Sequence, residues 1–485
     1  MLVNTAFLRR NRTPFLWVVS SILFYVSFAY DLVRADYVKL LTLYTALFFL
    51  FYKLITILKT RIVFLTWLAF IFRAVFILAI PNLSQDFYRF IWDGRMILEG
   101  FNPYLYTVES FIKNGNFPVA QAQELYNGMG ELNAGHFTNY PPINQLCFIL
   151  AALFASKSIL GSVIVMRLLI IAADFGTLHF GKKLLKKLNI PVYNIFWYIL
   201  NPFIIIELTG NLHFEGVMIF FLIWSLYLLH IEKWYFAGIV LGLSISVKLI
   251  PLMFLPLFFR WFTKRNIIKN EMNQSVSVEK TNSVLPSSND KKKWILAFTG
   301  MPNLLIFYSL TGLTILFLFV PFYSKILINN YMKTVALWFQ DFEFNASLYY
   351  IAREVGYLFR GYNEIAIIGK AIPVLVILFV LIITFFRKNK STTDLITSML
   401  LVLSFYYFTA TTIHPWYVAT LLILSVFTNY KFPLVWSFAI ILSYLAYLNS
   451  NNAENLWVIG LEYLIVYSVF IWEVFINKKA MKLVS

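Results

Sequence analysis

Residues 84–106 read SQDFYRFIWDGRMILEGFNPYLY. Asp86, Arg89, Asp93, Arg95 and Glu99 stand here among aromatic residues, directly after an apolar run at 62–80. Between Gln85 and Leu98 only Gly94 weakens a helix, and Gly100-Phe-Asn-Pro103 ends it. On that helix Asp86, Arg89 and Asp93 share one face, at i, i+3 and i+7, whereas Phe87, Ile91 and Leu98 lie on the other. An amphipathic helix that follows a spanning run is expected to lie in the membrane plane.

The rest of the chain supports that setting. Of 485 residues, 60% are hydrophobic and 13% charged, more apolar surface than a soluble domain can bury. Runs of spanning length lie near 14–33, 37–57, 62–80, 160–181, 192–208, 215–231, 295–323, 366–386, 394–412, 415–429, 432–448 and 456–476. The fold class is therefore an all-α polytopic membrane protein, a bundle of about 12–14 transmembrane or re-entrant helices with a large first outer loop that carries an interfacial helix. The expected division is a membrane module over 1–323, with outer loop 81–142 and cytoplasmic linker 260–293, followed by C-terminal helices over 324–485 with outer loop 324–365. Within the linker, the Ser/Asn-rich residues 271–290 read as flexible.

The net charge of +17 gathers in short segments between apolar runs, the pattern of membrane orientation and not of a nucleic-acid binder. Arg9, Arg10 and Arg12 place the N-terminus inside. The aromatic-rich run after them is longer than a signal core, so it reads as an uncleaved first span despite the weak Ser27-Phe28-Ala29 site. Loop 81–142, with three basic and six acidic residues, falls outside; Lys182, Lys183, Lys186 and Lys187 fall inside. Parity then requires residues 143–156 to dip in and return or to lie at the outer interface. The same count sends 234–259, broken near Lys248 and Pro251, in and out by the cytoplasmic face. The lone Cys147 excludes an intrachain disulfide and a cysteine-based metal site.

The polar candidates crowd the outer side: the opening stretch, NYPP (139–142), Asn211, His213 and Glu215, WFQDFEFNASLYY (338–350), and His414-Pro-Trp-Tyr417. Asp174 and Arg167, inside one span, read as ion-pair partners of neighbouring helices, and Glu207 is similar. Lys248 sits in a broken membrane segment, where an ionisable residue is functional by default.

In order and spacing these pieces resemble the GT-C class of integral-membrane glycosyltransferases, in its polyprenyl-phosphate-mannose branch. SQDFYRFIWDGRMILEGFNPYLY is followed by NYPP, by Arg167 to Leu184 with Asp174 inside, by NPFIIIELTGNLHFEG (201–216) and by LSISVKLIPLMFLPLF (243–258). The resemblance covers about residues 80–260; HPWY matches loosely. It implies an essential acid in the first outer loop, at Asp86. Many members carry two acids one residue apart there, whereas this chain has Ser84 in the first place. A single carboxylate suits a general base better than a cation site, so neither a metal nor another cofactor is expected.

The implied reaction moves a sugar, most simply mannose, from a polyprenyl-phosphate donor to a hydroxyl of a glycan or lipid acceptor, with inversion. Asp86 is the expected catalytic base. Arg89, Asp93, Arg95, Tyr104, Tyr140, His213, Glu215, Lys248 and His414 are the expected substrate-binding residues, and Arg89, Arg95, Lys248, Arg353 and His414 the cations for the leaving phosphate. The rival readings are a secondary transporter or lipid-linked glycan carrier, and a non-catalytic subunit of a cell-envelope assembly. The Lys, Asn, Ile and Phe bias points to an AT-rich, most simply bacterial genome. The expected location is then the inner (plasma) membrane, with the site facing the periplasm or exterior and membrane lipids as surroundings.

Overall fold

A backbone in lipid must satisfy its own N–H and C=O groups, and this chain does so with helices. The computed structural model describes residues 12–263, 301–340, 342–449 and 453–477. Most of linker 260–293, Arg9 and Arg10 lie outside them. Among the described residues there are helices, turns and one isolated bridge, and no strands.

The first helices are α1 (Arg12–Tyr30), α2 (Tyr37–Leu58) and α3 (Ile62–Ala74). The outer-loop region then folds as α4 (Asp86–Leu98), α5 (Val108–Lys113), α6 (Ala122–Gly135) and α7 (Pro142–Ala155). The long α8 (Ile159–Lys187) follows, then a broken pair, α9 (Val192–Ile199) and α10 (Pro202–Gly210), bent by 49°. Pro202 causes that bend: it cannot donate to the preceding turn, and Asn201 caps the new helix at the Phe203 N–H. Next come α11 (Glu215–His230), α12 (Trp234–Ile245), α13 (Ile250–Thr263), α14 (Met301–Phe322), α15 (Lys325–Gln340) and α16 (Leu348–Arg360). The chain closes with α17 (Ile365–Phe386), α18 (Thr392–Thr409), α19 (Pro415–Ser425), α20 (Phe432–Leu448) and α21 (Leu456–Ile476).

Six helices, α1, α2, α8, α14, α17 and α21, are long and apolar enough to cross a membrane, and α9–α10 makes a seventh if the bent pair is one span. The remaining expected spans are shorter. The run at 62–80 is helical only to Ala74, because its last residues turn toward the opening stretch. An apolar run measures what lipid or core will accept, not how much of it is helix.

The molecule is apolar outside and charged inside. Phe317 and Phe386 are 76% and 80% exposed, whereas Arg73 and Asp174 are completely buried. Charge in such an interior must be paired. Arg73 Nε donates to Asp174 Oδ2 at 2.7 Å, tying α3 to α8. Among the described residues Arg167 has no ion-pair partner; its guanidinium donates to the carbonyls of Ile77, Thr209 and Gly210 at the frayed ends of α3 and α10. Glu207 accepts from Tyr444 on α20.

Two ends emerge from the contacts. At one, Lys59 and Lys431 share a hollow, His230 meets Thr392, and Arg260 Nη1 donates to the Arg387 carbonyl. At the other, residues of the expected outer loops 81–142, 324–365, 413–417 and 449–455 line a cavity with Asp86. The elements between alternate from end to end in the order that parity predicts. The hairpin α12–α13 rises from the lysine-rich end and turns at 246–249, beside Asp86. Helix α7 takes the second of its two expected courses. It stays at the Asp86 end, where its Ile143 N–H donates to the Ser246 carbonyl and Phe148 stacks on Phe90 and meets Phe214 edge to face.

Helix α4 forms as expected and ends in a left-handed Gly100 (φ +83), with Phe101 N–H bonded to Met96 O and Gly100 N–H to Ile97 O. It does not lie with a charged face in water. Phe87 and Ile91 are buried on one side, Arg89 and Asp93 on the other, between α6 and α7. The crossing with α7 is close: a Cβ at Gly94 would sit 2.2 Å from the Phe148 carbonyl oxygen. Gly94→Ala should therefore push α4 off α7 and lower stability by about 1–3 kcal/mol, read as thermal unfolding of the detergent-solubilised protein.

Candidate active site

Asp86 opens α4, where the positive end of the helix favours a carboxylate. It stands on the floor of a cavity of about 820 Å³. Its Oδ1 accepts from Asn133 Nδ2 at 3.1 Å, and its own N–H lies 3.3 Å from Ser84 Oγ. Burial raises its pKa above the ordinary carboxylate range, while the charges of Lys248 and Arg34 and the Asn133 hydrogen bond pull it back down.

Two cations face this carboxylate across the floor. Lys248 comes from the tip of α12–α13, its Nζ 3.1 Å from Glu215 Oε1 and 5.2 Å from the ring centre of Tyr140. Arg34, from the short turn between α1 and α2, lies flat on Tyr447, 3.2 Å from its ring centre. Among the described residues no carboxylate is within ion-pair reach of Arg34. The third cation, Arg353 of α16, is held by Glu343 at 2.6 Å and leans on Tyr350.

One wall is a stack of rings. Trp416 lies between His213, 3.7 Å away, and His414, 4.6 Å away and almost parallel; Phe344 continues the stack beyond His414. Burial, then the neighbouring Lys248 and Arg34, lowers the His414 pKa to about 3, and burial and Lys248 hold His213 well below its usual value. Both imidazoles are neutral near pH 7. His414 thus brings a neutral ring to the cavity, not the positive charge that the sequence suggested. His213 sits behind the wall, its Nδ1 2.8 Å from the Glu207 carbonyl and its Nε2 3.3 Å from Ser84 Oγ, so that it braces a residue two positions before Asp86.

The roof joins two loops. Phe344 N–H donates to the Thr411 carbonyl and Ile413 N–H to the Phe344 carbonyl, while Thr412 Oγ1 donates to the Phe342 carbonyl. Tyr350 donates to Glu454, which also accepts from the Asn345 N–H.

Of the residues expected to bind substrate, Tyr140, Lys248 and His414 line the cavity with Asp86. Glu215 is buried beneath it as the Lys248 partner. The others point elsewhere. Arg89 pairs with Asp93 at 2.9 Å and donates to the Asn133 and His136 carbonyls, and so holds the loop that bears Asn133. Gln145 donates to Asp93. Arg95 donates to the Ala120 carbonyl and Gln121. Tyr104 donates to the Tyr140 carbonyl at 2.6 Å. These four build the floor from behind: Arg89 and Asp93 satisfy each other as an i, i+4 pair on α4, and Arg95 and Tyr104 are held by other groups of the protein. Arg34, Asn133 and Tyr447 line the cavity without having been singled out, and Trp416 was named only within the His414–Tyr417 turn. The available signal was for Arg34: an arginine in a turn that parity puts outside, against the usual bias.

The family described as alpha-(1->6)-mannopyranosyltransferase, N-terminal domain, matches residues 17–264, just over half of the chain. That stretch includes Arg34, Asp86, Asn133, Tyr140, His213, Glu215 and Lys248; Arg353, His414 and Trp416 fall after it. A comparison with curated proteins gave no match.

The two kinds of charged residue separate in one experiment. Arg89→Met leaves Asp93 buried without its cation and should lower stability by about 3–5 kcal/mol. Asp86→Asn keeps the Asn133 contact and should leave the unfolding temperature within about 2 °C of the parent. Thermal unfolding of the two purified variants checks both.

Proposed function

This chain belongs to the alpha-(1->6)-mannopyranosyltransferase family and is a multi-pass membrane glycosyltransferase of GT-C type that transfers mannose; from that premise we propose that the Asp86 cavity is where a polyprenyl-phosphate mannose donor meets its acceptor, on the periplasmic face of a plasma membrane. The reading is carried by one observation: a partly exposed carboxylate, Asp86, faces two cations, Lys248 and Arg34, on the floor of a cavity at one end of a lipid-facing bundle.

The chemistry needs little else. Asp86 takes the proton of an acceptor hydroxyl as its oxygen attacks the anomeric carbon. The bond from that carbon to the phosphate oxygen breaks, and its electron pair leaves with the polyprenyl phosphate. A phosphate is a competent leaving group without a proton, so no general acid is required. Its growing charge falls to Lys248 and Arg34. Glu215 tempers Lys248 and keeps it in place. Attack from the face opposite the phosphate inverts the centre, so an α-(1→6) product requires a β-linked donor and the primary hydroxyl of a hexosyl acceptor. Tyr140 and the Trp416 wall offer faces for sugar rings. The lysine-rich opposite end supports an outward-facing site, since lysine and arginine gather on the cytoplasmic side.

Asp86→Asn should lower transfer by about 10²–10⁴-fold when purified protein is given polyprenyl-phosphomannose and a mannosyl acceptor. Unchanged turnover refutes the assignment. The pH profile is a second check. The base must be ionised, so kcat/KM falls as pH drops through the Asp86 pKa, which burial has raised. Lys248→Met removes a charge that lowers this pKa, and should therefore move the acid limb to still higher pH, besides weakening turnover.

A further inference from the structure

The lysine-rich end holds a second hollow, of about 470 Å³, with no part in the site above. It lies between the last turns of α2, the first turn of α9 and the turn that joins α19 to α20. Its chemistry is divided. Ile55, Leu422, Val426 and Leu434 make an apolar inner wall, whereas Lys59, Lys431, Asn194 and Thr428 stand at the mouth. Both lysines are exposed. Among the described residues no carboxylate lines the hollow. Glu473 on α21 accepts from the backbone N–H groups of Lys431 and Phe432 at 2.8–3.0 Å and feels the Lys431 charge, but forms no ion pair with its side chain. Tyr52, 54% exposed and 6.0 Å from Trp197, marks the side on which the hollow opens toward lipid.

We propose that this hollow binds an anionic phospholipid, its phosphate between Lys59 and Lys431 and an acyl chain along the apolar wall. Two exposed ammonium groups, neither in an ion pair among the described residues, favour an anion over a neutral headgroup. The apolar wall and the lateral opening favour a lipid over a soluble phosphate. A basic hollow between helices at the lysine-rich end has the chemistry that anionic headgroups meet. Aromatic rings at that depth are the usual companions of the interface. The proposal is independent of the reading of Asp86.

Native mass spectrometry of the full-length protein, solubilised and offered phosphatidylglycerol or phosphatidylcholine in equal amounts, tests it. The parent should retain phosphatidylglycerol preferentially. K59A and K431A should each lower that retention about fivefold, the effect of one lysine near an anionic lipid surface. L434W fills the apolar wall without changing charge and should lower retention as well, an arm that stands even where a lysine variant fails to fold. Equal retention of the two lipids by the parent, or unchanged retention by both K59A/K431A and L434W, overturns the proposal. Displacement of the lipid by equimolar glycerol 3-phosphate would make a soluble phosphate the ligand and overturn it too.

Discussion

A lysine held 3.1 Å from a buried glutamate organises the Asp86 end of this molecule. Lipid surrounds the bundle, so no charge can sit inside it uncompensated. Lys248 comes from the tip of a hairpin whose rising arm, Trp234–Ile245, is short for a span. Glu215, the first residue of α11, meets it there. The contact locks the hairpin tip to the start of the next helix and points an ammonium group at Tyr140 and toward Asp86. Were Glu215 neutral, the tip would carry a lone cation beneath a half-desolvated carboxylate, and nothing else would fix their spacing.

Pairing also explains what was legible in the sequence. Helix existence, the alternation between two ends and the clustering of outer loops follow from apolar runs and from where lysines and arginines fall. That logic needs no partner information, and it led to the expectation that residues 234–259 enter and leave by one end. Span length was less legible. The runs at 62–80 and 432–448 continue into turns or into 3-10 geometry, as Ile440–Leu448 shows. Apolar side chains suit a buried turn as well as a helix.

Site residues were readable only in part, for a related reason. Asp86, Arg89 and Asp93 share a helical face, and periodicity cannot say which of them finds its counter-charge within the protein. Arg89 and Asp93 do, four residues apart. Asp86, a turn earlier, has only an amide, and its counter-charges lie across a cavity. Arg34 and Trp416 come from turns far away in sequence. Their meeting at Asp86 depends on how α1, α19 and α20 pack, which no local pattern encodes. The protonation of His414 was hidden as well, because it is set by burial and by Lys248 and Arg34, neither of them near in the chain.

The backbone pairing of Phe344 with Thr411 and Ile413 stitches the cavity's cover to the strand of chain that carries His414. A cover fastened in this way cannot lift alone. Whatever displaces it to admit a bulky sugar must also tug on the imidazole and, through their stacked faces, on Trp416. The cover and the wall of rings are thereby one mechanical part.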